Sequence, residues 1–212
     1  VQEIAKVTRR EWGVDRKVWV AGSTRPGEEE LLLTVFNRLK QKLPELLLVL
    51  APRHPERFNS VTKLCEKSGF KTLRRSASPG EVASNVDIYI GDTMGELQLF
   101  YAAADVVYVG GSLVPNGGHN ILEACAVGVP VIFGPHMFNF VDISQLTIER
   151  RAGTQVSNVN ELELTVARYF ADPELRFSAG ENGKKLVEEN RGALERTVAM
   201  LSPCLNKVVS AG

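Results

Sequence analysis

Short runs of apolar residues alternate with longer amphipathic segments along almost the whole chain, and this alternation limits the folds that the sequence can adopt. The predicted strands cover residues 18–22, 46–51, 71–74, 86–91, 106–110, 129–134 and 153–157. The predicted helices cover residues 28–42, 55–68, 95–104, 119–127, 140–151, 161–170 and 173–190, and a looser helical stretch follows. Apolar strands that each lead into a helix require a parallel sheet covered on both faces. We therefore predict an α/β fold, a doubly wound Rossmann-like domain.

Composition narrows the function classes. The chain has 25 basic and 25 acidic residues, so nothing indicates a nucleic-acid surface, and any bound anion must be held by local groups. Cys65, Cys125 and Cys204 lack the spacing of a disulfide framework or a zinc ribbon, which favours a reducing compartment. No apolar run approaches the roughly 20 residues that span a bilayer, and no signal peptide opens the chain. We expect a segment that is soluble and does not span a membrane.

The first 17 residues are polar and begin with Val1 rather than methionine. We interpret residues 1–17 as a connector from a missing amino-terminal domain. Residues 18–205 are then predicted to form one domain, and residues 206–212 a tail.

The turns after the predicted strands hold the candidate ligand-binding residues, because parallel sheets bind ligands at the carboxyl ends of their strands. All three histidines of the chain, His54, His119 and His136, fall in these turns. Gly117 and Gly118 precede a predicted helix, where their N–H groups and the helix dipole would favour a phosphate. Arg53 would add a charge-assisted fork to the same phosphate. The pattern predicts an anion site, although a glycine-rich turn alone is a weak signal.

Several of these residues also have a purely structural interpretation. Glu96 follows Thr93 at the spacing of a capping box, and from that motif alone capping is favoured. Glu123 lies near a helix start, where it either suits the dipole or accepts hydrogen bonds from ribose hydroxyls. Asn120 either caps the helix or reaches the ligand.

The first turn and the histidines carry similar alternatives. Ser23 and Thr24 are interpreted first as N-caps of the helix that begins at Glu28, with contact to a substrate as an additional role. His136 is either an ordinary turn histidine or a ligand contact. A metal held by the three histidines is disfavoured, because no second ligand stands at a typical spacing.

Four strings of the sequence closely resemble the carboxyl-terminal half of the Kdo transferases, which are glycosyltransferases of the GT-B fold in Gram-negative bacteria. The strings are APRHPERF (51–58), GDTMGEL (91–97), FYAAADVVYVGGSLVPNGGHNILE (100–123) and GPHMFNF (134–140). The resemblance covers about residues 18–190, in order and with plausible spacing. Agreement of several motifs in order is much more specific than any one of them.

The resemblance implies transfer of 3-deoxy-D-manno-octulosonic acid (Kdo) from CMP-Kdo to a lipid A precursor (lipid IVA) in lipopolysaccharide biosynthesis. It also implies inversion at the anomeric carbon, no cofactor and no bound metal. The present domain would bind the donor, whereas the general base, the acceptor surface and a membrane anchor would belong to the missing amino-terminal domain. The full-length protein would act at the cytoplasmic face of the inner membrane, and this fragment alone would not catalyse transfer.

Carried over by motif, the resemblance assigns Arg53 and His54 to the phosphate or the Kdo carboxylate. The rest of the nucleotide site would be Gly95, Glu96, Gly117, Gly118, Asn120 and Glu123, with Ser23, Thr24 and His136 as weaker candidates. The sequence departs from the family at Arg25, where a histidine is common, and it lacks the prolines often found around Glu123.

Two other functions remain open from the sequence. A GT-B enzyme that uses a UDP-sugar would share the fold, and a non-catalytic nucleotide-binding module would share the site. A dehydrogenase is disfavoured, because no G-x-G-x-x-G follows the first strand.

Overall fold

A computed structural model describes residues 2–77 and 80–209 of the chain, with side chains described as far as Arg191. Seven strands form one sheet in the order β3-β4-β2-β1-β5-β6-β7, and every neighbouring pair is parallel. The strands are β1 (Val18–Thr24), β2 (Leu47–Pro52), β3 (Thr72–Arg74), β4 (Ile88–Ile90), β5 (Val106–Val109), β6 (Val131–Phe133) and β7 (Gly153–Gln155). The predicted α/β class and the doubly wound parallel sheet are confirmed.

Eight α-helices accompany the strands in the described ranges. They are α1 (Gln2–Trp12), α2 (Glu28–Lys42), α3 (Phe58–Lys67), α4 (Leu97–Ala103), α5 (Leu122–Val127), α6 (Val141–Glu149), α7 (Val159–Ala171) and α8 (Pro173–Val209). Short 3-10 turns at Pro55–Arg57 and Arg75–Ala77 complete the regular structure. Within these ranges, every helix is too short or too polar to cross a lipid bilayer.

The helices form a layer on each face of the sheet. Successive side chains of a strand point to opposite faces, so Val18 and Val20 enter one core while Trp19 and Ala21 enter the other. Helices α1, α4 and α5 contribute to the first core, and α2, α3 and α7 contribute to the second. All seven residues of β1 are buried, which explains why the strand pattern was visible in the sequence as an uninterrupted apolar run.

Among the helix starts, two differ most from the prediction. The helix predicted over residues 119–127 begins only at Leu122, because Gly117 and Gly118 have φ angles of 88° and 76° and hold the preceding chain in a turn. The helix predicted over residues 55–68 opens with the 3-10 turn before α3 begins at Phe58.

The amino-terminal segment is more ordered than the interpretation of residues 1–17 as a connector anticipates. Helix α1 buries Ala5, Thr8 and Trp12. The Trp12 ring packs 5.7 Å from the ring of Tyr89 and 5.9 Å from that of Phe100, centroid to centroid. This segment is therefore part of the folded unit, while its link to a further domain stays a prediction. At the other end α8 runs to Val209, and the last three residues of the predicted tail 206–212 lie outside the described residues.

Candidate functional site

The order of the strands reverses between β1 and β5. From β1 the chain proceeds to β2 on one side, whereas β5, β6 and β7 follow on the other side. Ligands of such sheets bind at this switch point, outside the carboxyl ends of the strands. We refer to residues 23–27 as the first turn, 53–54 as the second turn, 91–96 as the fourth turn and 110–121 as the fifth turn, after β1, β2, β4 and β5 respectively.

A cavity of about 330 Å³ lies at the carboxyl edge of β4, β2 and β1. Its wall includes four residues that the sequence predicts for the site, namely Ser23, Arg53, Gly95 and Glu123. Residues that the sequence did not predict also line it, among them Thr93, Met94, Leu97 and Gln98. The structure thus brings residues from the first, second and fourth turns and from α5 around one space.

Three larger cavities, of about 380, 510 and 580 Å³, lie at the other edge of the sheet. They are lined by residues that precede the strands, such as Asp105 before β5 and Arg16 before β1. We take the smaller cavity as the candidate site because it lies at the carboxyl edge, beside the switch point.

Glu96 is not the second half of a capping box. It occupies the N-cap position of α4 without a side-chain capping bond. Its carboxylate accepts hydrogen bonds from Arg75, at 3.0 Å to Nη2 and 3.2 Å to Nε, and from the Thr93 hydroxyl. Burial opposes ionisation, but the bonds from Arg75 and Thr93 outweigh it and lower the pKa of Glu96. The carboxylate therefore anchors the fourth turn, and direct contact of Glu96 with a ligand stays a prediction.

The surroundings of Gly117 and Gly118 differ from those expected for a phosphate cradle, while contact of these glycines with a ligand stays a prediction. The Gly118 N–H already donates to the Gly111 carbonyl at 2.7 Å, and α5 does not follow directly. A Cβ at Gly117 would lie 2.1 Å from Asn139 Nδ2, and one at Gly118 would lie 2.4 Å from Met137 Sδ. Close packing against the loop after β6 and positive φ angles therefore require both glycines.

Asn120 and Glu123 lie together at the start of α5. Asn120 Oδ1 accepts a hydrogen bond from the Leu122 N–H at 3.1 Å, and its Nδ2 lies 3.5 Å from Glu123 Oε1. Asn120 thus satisfies an N–H at the helix start, which is the structural one of its two interpretations. Glu123 lies in the first turn of α5 and also lines the cavity, so its position suits both of its interpretations.

The first turn does not cap α2 with Ser23 or Thr24, as the sequence suggested. Gly27 is the N-cap residue, with φ 89° and no side-chain capping bond. The Thr24 hydroxyl donates instead to Glu29 Oε1 at 2.7 Å. Ser23 has a left-handed φ of 56°. Its carbonyl oxygen lies so close to Gly110 that a Cβ added there would be only 2.5 Å from it. The first and fifth turns are therefore in close contact.

A buried carboxylate joins these two turns. The side chain of Glu28 is fully buried at the start of α2. It accepts hydrogen bonds at 2.6–3.0 Å from five donors, the N–H groups of Arg25, Gly111, Ser112 and Leu113 and the hydroxyl of Tyr108. Because a buried carboxylate without such donors would be very costly, Glu28 determines the backbone path of both turns.

Arg25 occupies the centre of the switch point. Its Nη1 lies 2.6 Å from His54 Nε2, and its Nε donates to His119 Nε2 at 3.2 Å. The structure therefore brings together two of the three histidines through a residue that the sequence flagged only as a departure. Burial first, and then the charges of Arg25 and Arg53 and the His54 ring, lower the pKa of His119 from 6.5 to about 4.

His136 makes a hydrogen bond to a different residue from those of this cluster. The backbone N–H of His136 donates to the Ser112 carbonyl at 2.9 Å, and His136 is half-buried. Across the part of the chain that the structure describes, no three His, Cys, Asp or Glu side chains are grouped as metal ligands would be.

Comparison with known proteins identifies the family. The profile of the family described as "Glycosyl transferases group 1" matches residues 15–186. A 3-deoxy-D-manno-octulosonic acid transferase of Haemophilus influenzae is 44% identical over 93% of this chain and 46% of its own length. The corresponding protein of Bordetella pertussis is 36% identical over 90% of this chain and 45% of its own length. The chain thus spans about half the length of the curated relatives it matches.

Solved structures agree with these matches. The C-terminal CMP-Kdo binding domain of WaaA from Acinetobacter baumannii superposes with a TM-score of 0.81 and 32% identity, over 87% of this chain and 96% of that domain. Anabaena HepE in complex with UDP and glucose superposes with a TM-score of 0.62 over 93% of this chain and 52% of its own, and its 17% identity shows only a shared fold. The chain therefore belongs to the glycosyl transferases group 1 family, and within it the chain is similar to the Kdo transferases.

Proposed function

We propose that the chain is the donor-binding domain of a glycosyltransferase that transfers Kdo from CMP-Kdo to a lipid A precursor. The observation that supports the proposal most is the cavity at the carboxyl edge, which has Arg53 and Glu123 in its wall. A guanidinium suits the CMP phosphate, and a carboxylate suits vicinal ribose hydroxyls. The 32% identity to a solved CMP-Kdo binding domain, over nearly the whole of that domain, supports the choice of donor.

In this proposal Arg53 stabilises the negative charge that develops on the leaving CMP phosphate. Among the described side chains up to Arg191, no carboxylate forms an ion pair with the Arg53 guanidinium, so its charge remains available to a ligand. A preorganised cation of this kind performs the role that a metal ion performs in other transferases. We propose that the reaction inverts the anomeric centre and needs no metal.

The remaining roles follow from the same proposal. Glu96 and the Thr93 hydroxyl hold the fourth turn against the nucleotide, with Gly95 allowing close approach at its φ of 82°. The general base and the acceptor surface belong to the part of the relatives that this chain does not span. The full-length protein would work at the cytoplasmic face of the inner membrane.

The phosphate assignment is tested by comparing CMP with cytidine, which lacks the phosphate. Isothermal titration should show that Arg53→Ala weakens CMP at least about tenfold, since a hydrogen bond to a charged group contributes about 1.5–3 kcal/mol. Cytidine affinity should change by less than about twofold, because cytidine carries no charge for Arg53 to bind. An equal loss for both ligands, or none for CMP, would sink the assignment.

A further inference from the structure

Among the described side chains, the Arg25 guanidinium, like that of Arg53, has no ion-pair partner, whereas three other arginines of the turns have one. The ion pairs of the turns join Arg57 to Glu29, Arg74 to Asp92 and Arg75 to Glu96, at 2.7, 2.7 and 3.0 Å. Among residues 2–77 and 80–191, no carboxylate lies within 4.0 Å of the Arg25 guanidinium. The side-chain partners of Arg25 are instead the two imidazoles of His54 and His119.

The imidazoles orient Arg25 without neutralising it. A guanidinium has five N–H donors in a planar fork. In Arg25, one N–H of Nη1 faces His54 and the N–H of Nε donates to His119. The other N–H groups of Nη1 and Nη2 remain for a planar acceptor. A carboxylate fits that fork in two-pronged geometry.

The backbone of Arg25 is also preorganised. Its N–H donates to the buried carboxylate of Glu28, which in turn binds three N–H groups of the fifth turn. The side chain packs beside Gly111, where a Cβ would lie 3.6 Å from Arg25 Cγ. A binding group held from both ends in this way loses little conformational freedom when a ligand arrives.

Arg25 lies beside the cavity and is not part of its wall. The cavity spans the carboxyl ends of β4, β2 and β1 and includes Arg53. Arg25 lies one strand further along the edge, between the second turn and the fifth turn, over β2, β1 and β5. Burial is the main cause of the lowered pKa of His119, and the nearby charges of Arg25 and Arg53 lower it further. A ligand with two separated negative charges would match the two arginines.

We propose that Arg25, held between His54 and His119, binds the carboxylate of an acidic sugar while Arg53 binds the phosphate of the same donor. The inference rests on the proposed function and names its determinant of sugar class. Arg25 then selects nucleotide-linked acidic sugars over neutral ones, and it contributes little to the binding of the nucleotide alone.

The test is a set of calorimetric titrations with CMP and with CMP-Kdo. Arg25→Met should weaken CMP-Kdo at least about tenfold, because a charge-assisted bond is lost, and should change CMP by less than about twofold. Arg53→Met should lower the affinity for both CMP and CMP-Kdo. Arg38→Met is the matched control: Arg38 lies on the exposed face of α2 and pairs with Glu163, so both affinities should stay unchanged.

A second variant keeps the test independent of any loss of fold. Arg25→Lys retains the charge but not the fork, and should lose part of the CMP-Kdo affinity and none of the CMP affinity. Equal effects of both Arg25 variants on CMP and CMP-Kdo, or no effect on CMP-Kdo, would overturn the inference while leaving the proposed function intact. Failure of the unaltered chain to bind CMP would instead contradict the proposed function, and the inference would fall with it.

Discussion

At the scale of single residues, the candidate site separates side chains that already have partners from those that do not. Glu96, Glu29 and Asp92 are each bound to an arginine within the fold, and their oxygens hold turns in place. Arg53 and Glu123 line the cavity instead. The residues without a strong internal partner are therefore the better candidates for ligand contact.

Glu123 provides a prediction at this scale. We expect Glu123→Gln to weaken CMP binding about threefold to tenfold, because an amide is a poorer acceptor for ribose hydroxyls than a carboxylate. Calorimetry with CMP and with 2′,3′-dideoxy-CMP measures the effect. The dideoxy ligand should not distinguish the variant from the unaltered chain. Glu149→Gln, at the end of α6 and exposed, serves as the control.

His119 gives a pH prediction with a definite sign. In the folded chain the pKa of His119 is about 4, whereas that of an ordinary histidine is 6.5. The unfolded state therefore takes up more protons, and the stability contributed above pH 6.5 is lost as the pH falls towards 4. Urea unfolding at about pH 7 and about pH 4.5 measures how much the free energy of unfolding falls between the two pH values. This fall should be smaller for His119→Gln than for the unaltered chain. An equal loss in both would contradict the assignment.

The same residues show what sequence reasoning missed. Glu28 and Glu29 lie in the first turn of α2, where acidic residues suit the helix dipole, yet both are buried and bound to other segments. Arg25 drew notice only as a departure from the family. Such roles depend on which turns the sheet places side by side, and the local sequence does not contain that information.

At the scale of elements, the sequence predicted the central strands β1, β2 and β5 well, because both faces of these strands are buried and their residues are therefore mostly apolar. Helix starts were predicted less well. The turn before α5 is held by a hydrogen bond from the Gly118 N–H to the Gly111 carbonyl. Gly117 and Gly118 also pack against Asn139 and Met137. These contacts join segments distant in sequence, and a capping pattern cannot reveal them.

Helix α2 is predicted to depend on Glu28 for its connection to the fifth turn. Glu28→Gln should lower the free energy of unfolding by about 2–4 kcal/mol, because an amide group would face N–H donors in a buried place. Chemical denaturation measures the change. The neighbouring Glu30 is exposed, so Glu30→Gln should change stability by less than about 0.5 kcal/mol. Similar values for the two variants would show that the Glu28 bonds contribute little.

Helix α1 is predicted to stabilise the domain rather than to act as a loose connector. Trp12 is 1% exposed and packs against both Tyr89 and Phe100, so Trp12→Ala should lower the free energy of unfolding by about 3–5 kcal/mol. Ile4 lies on the same helix and is 61% exposed, and Ile4→Ala should have an effect below about 0.5 kcal/mol. Unchanged stability in Trp12→Ala would support the connector interpretation.

At the scale of the whole molecule, the fold places a ligand site where two halves of a doubly wound sheet diverge. Sequence motifs identified the family, and the structure adds a cavity with Arg53 in its wall and, beside it, Arg25 held between His54 and His119. The chain spans about half the length of its curated relatives, and the proposed function predicts that it binds the donor. Donor binding is thus the property by which this chain can be judged on its own.

The most direct test is a calorimetric titration of the unaltered chain with CMP and with UMP under the same conditions. A donor domain for CMP-Kdo should bind CMP at least about tenfold more tightly than UMP, since an exchange of the base's hydrogen-bonding groups leaves buried partners unsatisfied. Equal affinities, or a preference for UMP, would contradict the proposed donor and favour a UDP-sugar enzyme of the same fold.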